Sequence, residues 1–229
     1  MTVSWQLNQS YAMPRFETYT CYHCEAEATG REHVPPKCLY PKGGGWSNLM
    51  TVPSCAEHNN AKSTADEYLK FLLGEIGQGT PHAITRSAAR GAIRQTALGR
   101  GNLRKFGFLW DGKVLVIDDP ISIDFELLSP GLAKVARATY FYHHLGRRKL
   151  LGDLLVCPLF IPIDPTVAPE LASAVSVVSA ATAMDFGQSP KLGPHQEIFA
   201  YQVFEGEDKV TINMELYKGH WVKAVSMLP

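Results

Sequence analysis

Between Cys21 and Lys62 the chain sets out, in order, Cys21-x-x-Cys24, Glu32-His33-Val34-Pro35, Asn48-Leu49, and Cys55-x-x-His58-Asn59 followed by Lys62. The first and last groups each hold two metal-ligand types separated by two residues, a spacing at which thiolates and imidazoles converge on one ion. Four such ligands complete a tetrahedron and leave no open position, which describes a structural Zn2+ rather than a catalytic one. On a helix beginning at Cys55, residues three apart share a face, so Cys55 and His58 can meet the same ion. His23, inside the first pair, is an alternative ligand. Cys38 lies outside both pairs and is expected to pack in the core.

A second chemistry lies between the two pairs. Hydrolysis of a phosphodiester needs a deprotonated water, an offset for phosphate charge and a stabilised leaving oxygen. A hard divalent ion held by oxygen ligands supplies the last two, and a histidine of near-neutral pKa supplies the first. Glu32 and Asn59 offer oxygens, and His33 adjoins Glu32. Adjacent residues of a strand point to opposite faces, so Glu32 and His33 share one site only where the backbone bends. Pro35-Pro36 is the expected place for that bend. Asn48 is suited to accept a hydrogen bond from the His33 ring and so fix its tautomer.

The stretch from Cys21 to Ser63 resembles the HNH family of nucleases, in the subset that wraps a zinc knuckle around a ββα-metal core. The residues that carry the likeness are Cys21 and Cys24, Glu32-His33-Val34-Pro35, Asn48-Leu49, and Cys55 with His58-Asn59 and Lys62. The resemblance implies an endonuclease with His33 as general base, Asn48 as its orienting partner, and Glu32 with Asn59 as ligands of a catalytic Mg2+ or Mn2+. It implies DNA rather than RNA as substrate, and associates the chain with defence or mobile-element systems. Glu32 stands where the family commonly has Asp, which lengthens the ligand arm. His58 stands in the place of the second knuckle cysteine, and the alternative that it binds the catalytic ion stays open.

The elements that must position these residues are short. Residues 31–35 and 48–53 read as strands, the first stopped by its prolines. Ser54 and Glu57 form a capping-box pattern, predicting a helix from Cys55. A second start signal at Ser63-Thr64 with Asp66-Glu67 precedes an apolar stripe of Tyr68, Leu69, Leu72, Leu73 and Ile76. Residues 1–76 are thus expected to form a zinc-knuckled ββα unit.

Glycines and Pro81 then mark a linker to residues 77–229, expected as an α+β accessory, regulatory or nucleic-acid-binding module with mostly antiparallel strands. Its expected elements are a helix over 84–98 and a hairpin of 106–110 with 113–118 around a tight Asp111-Gly112 turn. A strand follows with alternating Ile121, Ile123, Phe125 and Leu127, then a helix over 132–145. A buried strand spans 154–163, and an Ala/Ser/Val-rich segment over 168–190 is a helix or a mobile insertion. Strands over 198–204, 210–216 and 221–225 complete the chain.

The 229 residues carry 22 basic and 22 acidic side chains, so no global field draws the chain to a polyanion or a membrane. Any attraction must be local. Residues 77–110 contain no acid, and Arg86, Arg90 and Arg94 recur at four-residue intervals, forming one helical face. With Lys62 they are candidate phosphate-backbone contacts, and a solvated face is the alternative. Five cysteines, four within the first 55 residues, fit metal binding in a reducing compartment. No basic-then-apolar leader opens the sequence and no apolar run reaches about 18 residues, so a cytoplasmic location is expected. The expected partners are a nucleic acid and a protein regulator docking on 77–229.

Overall fold

The computed structural model describes residues 16–40, 44, 46–60, 63–76, 108–110, 115–117 and 123–228. It is a mixed α+β structure in which every paired strand is antiparallel. The anticipated helix over 84–98, the strand position Ile121, and the residues Lys62, Arg86, Arg90 and Arg94 lie outside the described residues.

At the N-terminal end β1 (Gly30–His33) pairs with β2 (Thr51–Ser54), Glu32 opposite Val52 and His33 opposite Thr51. After His33 the chain leaves the pair through Pro35-Pro36 into a short 3-10 turn over Lys37–Leu39. Helix α1 (Ala56–Asn60) follows β2 directly, and α2 (Ser63–Ile76) carries the apolar stripe. The helix begins about where the cap pattern predicts, but Ser54 is not its cap. Ser54 still belongs to β2, opposite Gly30, and its hydroxyl donates to the Cys55 carbonyl at 3.3 Å. Cys55 therefore stands at the strand–helix junction.

Further along, β3 (Phe108–Trp110) pairs with β4 (Leu115–Ile117). Trp110 faces Leu115, so the connection is longer than the two-residue turn anticipated at Asp111-Gly112. Helix α3 runs over Phe125–His143, which corrects the reading of Phe125 and Leu127 as strand. Asp124 caps it, accepting from the Leu127 amide at 3.1 Å, and Tyr68 of α2 accepts from the Asp124 amide at 2.7 Å. The helix continues through Pro130, so the start falls well before residue 132.

The remaining strands are β5 (Leu154–Pro158), β6 (Phe199–Glu205), β7 (Lys209–Leu216) and β8 (His220–Met227), in the order β5-β8-β7-β6. The strand expected over 154–163 is shorter than anticipated and is an edge rather than a buried centre, with Leu155 75% exposed. Residues Pro169–Gln188 form helix α4. Its C-terminal end is fixed by Asp185, which accepts from Asn213 Nδ2 at 2.9 Å and pairs with Lys223 Nζ at 3.3 Å. None of the described helices is long and apolar enough to cross a membrane.

Helix α3 lies between α2 and the four-stranded sheet, and residues around most of its circumference are buried. Tyr22, Val52, Leu72, Leu132, Phe141, Ile212 and Val222 belong to one continuous apolar cluster, so the metal-ligand unit and the C-terminal sheet share a core. Where α3 crosses α2, a Cβ at Gly131 would lie 3.3 Å from the Ala65 Cβ. Gly131→Val should overpack this crossing and cost about 1–3 kcal/mol. Gly187→Ala, in helical space with nothing within 4 Å, should instead add up to about 1 kcal/mol. Urea unfolding midpoints moving in opposite directions would bear this out, and coincident midpoints would not.

Candidate metal centre and the adjoining cleft

The first ligand pair sits on a tight loop. Cys21 N–H donates to the Ala26 carbonyl at 2.8 Å and Ala28 N–H to the Tyr19 carbonyl at 3.0 Å, closing the loop on itself. The next amide, Tyr22 N–H, reaches the Pro53 carbonyl at 2.9 Å and anchors the loop to β2. The second pair leaves the end of β2, with Cys55 at the junction and His58 one turn into α1. Residues three apart on that helix meet as the spacing predicts.

The four donor atoms of Cys21, Cys24, Cys55 and His58 lie within 4.8 Å of one another. His58 Nδ1 is 3.6 Å from both Cys21 Sγ and Cys24 Sγ and 3.2 Å from Cys55 Sγ, and Cys24 Sγ is 3.9 Å from Cys55 Sγ. Zinc bonded tetrahedrally at about 2.3 Å to sulfur and about 2.05 Å to nitrogen would set these edges at about 3.8 Å for S–S and about 3.6 Å for S–N. The cluster can therefore hold a zinc ion: the Cys24–Cys55 edge and the His58 edges to Cys21 and Cys24 are those of such a tetrahedron, while the His58–Cys55 edge is shorter. All its cysteines are free thiols. Burial pushes the Cys21 thiol up, but the backbone amides of Cys55, His23 and Cys24 hold it below the ordinary thiol value. Cys24 goes the other way: burial, with its neighbours Cys55 and Cys21, holds its thiol above the ordinary value, so of the two the thiolate is favoured at Cys21 only.

His23 is not one of the four. Its ring lies 4.1 Å from that of His58, and burial, then the neighbouring His58, lowers its pKa to about 4. Cys38 is also apart: its thiol donates to the Asp66 carbonyl at 3.6 Å, and burial pushes its pKa up to about 12.

A cation that spacing could not reveal completes the centre. Lys149 Nζ donates to the Cys24 carbonyl at 2.8 Å, the Thr20 hydroxyl at 2.9 Å and the Glu25 carboxylate at 3.1 Å. Its side chain is only 11% exposed. With a dication bound, three thiolates would leave one negative charge near this ammonium, which also pairs with the Glu25 carboxylate.

Beside this centre is a cleft. Tyr22, Glu32, His33 and Pro36 line it from the N-terminal unit, Asp66 from α2, and Gly131, Lys134, Val135 and Ala138 from α3. Glu32 is only 8% exposed and His33 half-buried. Both line the cleft at the end of β1, just before Pro35-Pro36. Burial first, then the charges of Glu32, Cys21 and Asp66, hold the Tyr22 phenol far above its usual pKa.

The other candidates, Asn59 and Asn48, are not among the residues that line the cleft. Asn59 packs over the start of β1, where a Cβ on Gly30 would be 3.1 Å from its Nδ2. That is two residues, about 6–7 Å along the strand, from Glu32, and Asn59 is not among the cleft's lining residues. Asn48 is exposed on the loop before β2 with φ of 56°, a left-handed conformation that asparagine adopts more readily than most residues. That loop is pinned by His195, whose Nε2 donates to the Ser47 carbonyl at 2.7 Å while its ring sits edge-on to Trp46. Sequence reasoning did not single out Tyr22, Lys134 or His195, took Asp66 only as a helix-start signal, and read Lys149 with Arg147 and Arg148 as a cation cluster closing a helix rather than as a neighbour of the metal centre.

No known protein family, curated protein or solved structure matches the chain.

The centre makes two expectations measurable. His58→Ala should abolish stoichiometric zinc and lower thermal stability, because metal affinity and folding are one free energy here. Lys149→Met should leave the four ligands in place but weaken zinc binding by about 10–100-fold in a chelator competition. Unchanged zinc affinity in a folded Lys149→Met protein would remove the lysine from the centre.

Proposed function

We propose that the chain is a metal-dependent endonuclease of the HNH type, hydrolysing phosphodiester bonds in DNA in preference to RNA. The observation that carries this reading is the position of Glu32 and His33. They end β1 side by side on one cleft, against a zinc-competent cluster whose two halves flank the β1–β2 pair.

In this reading the cluster carries zinc and does no chemistry; it holds the knuckle, β2 and α1 together. His33, half-buried at the cleft, takes a proton from water as that water attacks phosphorus. Glu32, hidden from solvent and joined in the cleft by Asp66, presents carboxylate oxygen of the kind that Mg2+ or Mn2+ prefers. Such an ion, when bound, offsets phosphate charge and stabilises the leaving oxygen. Asn59 is proposed as a further oxygen ligand and Asn48 as the group that orients the His33 ring. Lys62, Arg86, Arg90 and Arg94 are proposed contacts to the nucleic-acid backbone. Residues 77–229 are proposed to dock a protein regulator in the cytoplasm.

A second reading, a nucleic-acid or protein binding module on the same scaffold, draws on the wall that α3 builds over the cleft with Gly131, Lys134, Val135 and Ala138. A module that binds without cutting would need no wider opening.

Cleavage assays separate the two. Purified protein should nick supercoiled plasmid with Mg2+ or Mn2+, and His33→Ala should lower the rate about 10²–10⁴-fold with zinc content unchanged. Asn59→Ala should also retain zinc and lose about 10²-fold or more in rate, as loss of a ligand to a charge-stabilising ion would. Full activity in His33→Ala would contradict the assignment. Binding without cutting on plasmid, single-stranded DNA and RNA would favour the module.

A further inference from the structure

We infer that two copies of this chain associate through helix α4, packed antiparallel about a two-fold axis near Val177, with Leu171 of each copy against Met184 of the other. This goes beyond the proposed activity and does not rest on it.

Helix α4 is held to the fold along a narrow line. Of its twenty residues Thr182 and Phe186 are buried, and the Phe186 ring stacks on Trp221 at 6.3 Å. Beside that line Leu171, Val177 and Met184 are 53%, 67% and 61% exposed, and Ala174 and Ala181 between them are exposed as well. At 3.6 residues per turn these five form one stripe about 140° wide, a width with which helices ordinarily face a core. Seven of the fourteen residues from Leu171 to Met184 are Ser, Val or Thr, which form helices less readily than Ala or Leu. A helix of this composition draws its stability from packing. Here the stripe that should pack faces solvent.

Charge decides the kind of partner. No ionisable residue lies between Glu170 and Asp185, and α4 contains no lysine, arginine or histidine. A nucleic acid or an anionic membrane surface therefore finds no cation on this helix. Its partner must present an uncharged apolar face of its own.

The order of side-chain sizes points to a second copy. Leu171, Ala174, Val177, Ala181 and Met184 read large, small, medium, small, large, and the pattern is centred between Val177 and Val178. Turned about a two-fold axis, the stripe meets itself with like sizes in each layer: Leu171 on Met184, Ala174 on Ala181, Val177 beside its counterpart. The alanine layers allow a close approach of the two backbones. The helix dipoles then run in opposite directions, each N-terminus beside a C-terminus. At either end Glu170 comes near Asp185 of the other copy. That aspartate is turned to the sheet, where it accepts from Asn213 at 2.9 Å and pairs with Lys223 at 3.3 Å. A contact about 30 Å long and about 10 Å wide is a small interface, so association is expected in the micromolar range.

The test is sedimentation equilibrium of the full-length, zinc-loaded protein over about 1–200 µM, a range that brackets micromolar affinity. The mass should rise from that of one chain toward that of two. Val177→Glu sets two carboxylates together at the axis and should weaken the dimer about 10-fold or more, with zinc content unchanged. Cysteine cross-linking reads the orientation. Val177→Cys should form an intermolecular disulfide under mild oxidation that leaves the wild type unlinked. Leu171→Cys should not link to itself, because its two copies would lie about 20 Å apart along the helices, beyond the roughly 7 Å that a disulfide spans between Cα atoms. Mixed with Met184→Cys, it should link. Should Val177→Glu lower the melting temperature of the dilute protein, the cross-linking pattern decides alone. A wild type that stays one chain throughout the range would overturn the inference, whether or not it binds anionic vesicles or another protein. So would a dimer that a folded Val177→Glu protein keeps at full strength, or Leu171→Cys linking to itself as readily as to Met184→Cys.

Discussion

Three sulfurs and one imidazole nitrogen must meet within a few ångströms, although Cys24 and Cys55 are 31 residues apart in the chain. The local elements around them are too small to enforce that convergence. The strands β1 and β2 have four residues each and α1 has five. A two-stranded hairpin is marginal in water, and a helix of this length does not hold itself. A structural zinc, by contrast, contributes on the order of 10–16 kcal/mol to the folding of a small unit at neutral pH. With a metal in that cluster, the register of β1 follows, and with it the place at which Glu32 and His33 leave the strand.

The C-terminal region then fixes what the metal alone would leave loose. Lys149 grips the knuckle through the Cys24 carbonyl, His195 holds the loop before β2 through Ser47, and Tyr217 donates its phenol hydrogen to the Leu39 carbonyl. These contacts bind different parts of the N-terminal unit to residues more than a hundred positions away. Helix α3 adds the wall of the cleft and shares its core with α2. The cleft is therefore a product of the whole fold: the N-terminal unit offers Tyr22, Glu32 and His33, and the later helix encloses them and brings Lys134. Deforming α3 would change the mouth of the cleft without touching a metal ligand.

What was legible in the sequence follows from how locally each feature is determined. Two ligand pairs with fixed spacing reveal a metal cluster, because the chemistry tolerates few other arrangements. Strict alternation over Val210–Leu216 reveals a strand, because one face of β7 must be buried. The alternation from Ile121 to Leu127 misled for a physical reason. Phe125 and Leu127 open a helix buried on several sides, where apolar residues need follow no single periodicity, and the decisive signal was Asp124 with Leu127 three residues on. The run over 154–163 misled because an apolar strand at a sheet edge has the same composition as one at its centre; only the strand order distinguishes them. Ser54 carried a cap pattern but was already committed to β2. Tyr22, Asp66 and Lys134 were not legible as a group, because three separate elements bring them together. Lys149 and His195 act through backbone carbonyls, which leave no trace in side-chain spacing.

X-ray absorption at the zinc edge of the purified protein bears most directly on whether the fold is built around this centre. The structure predicts one zinc per chain, with three sulfur neighbours at about 2.3 Å and one nitrogen at about 2.0–2.1 Å. A first shell of nitrogen and oxygen only, or a folded protein that holds no zinc, would contradict it.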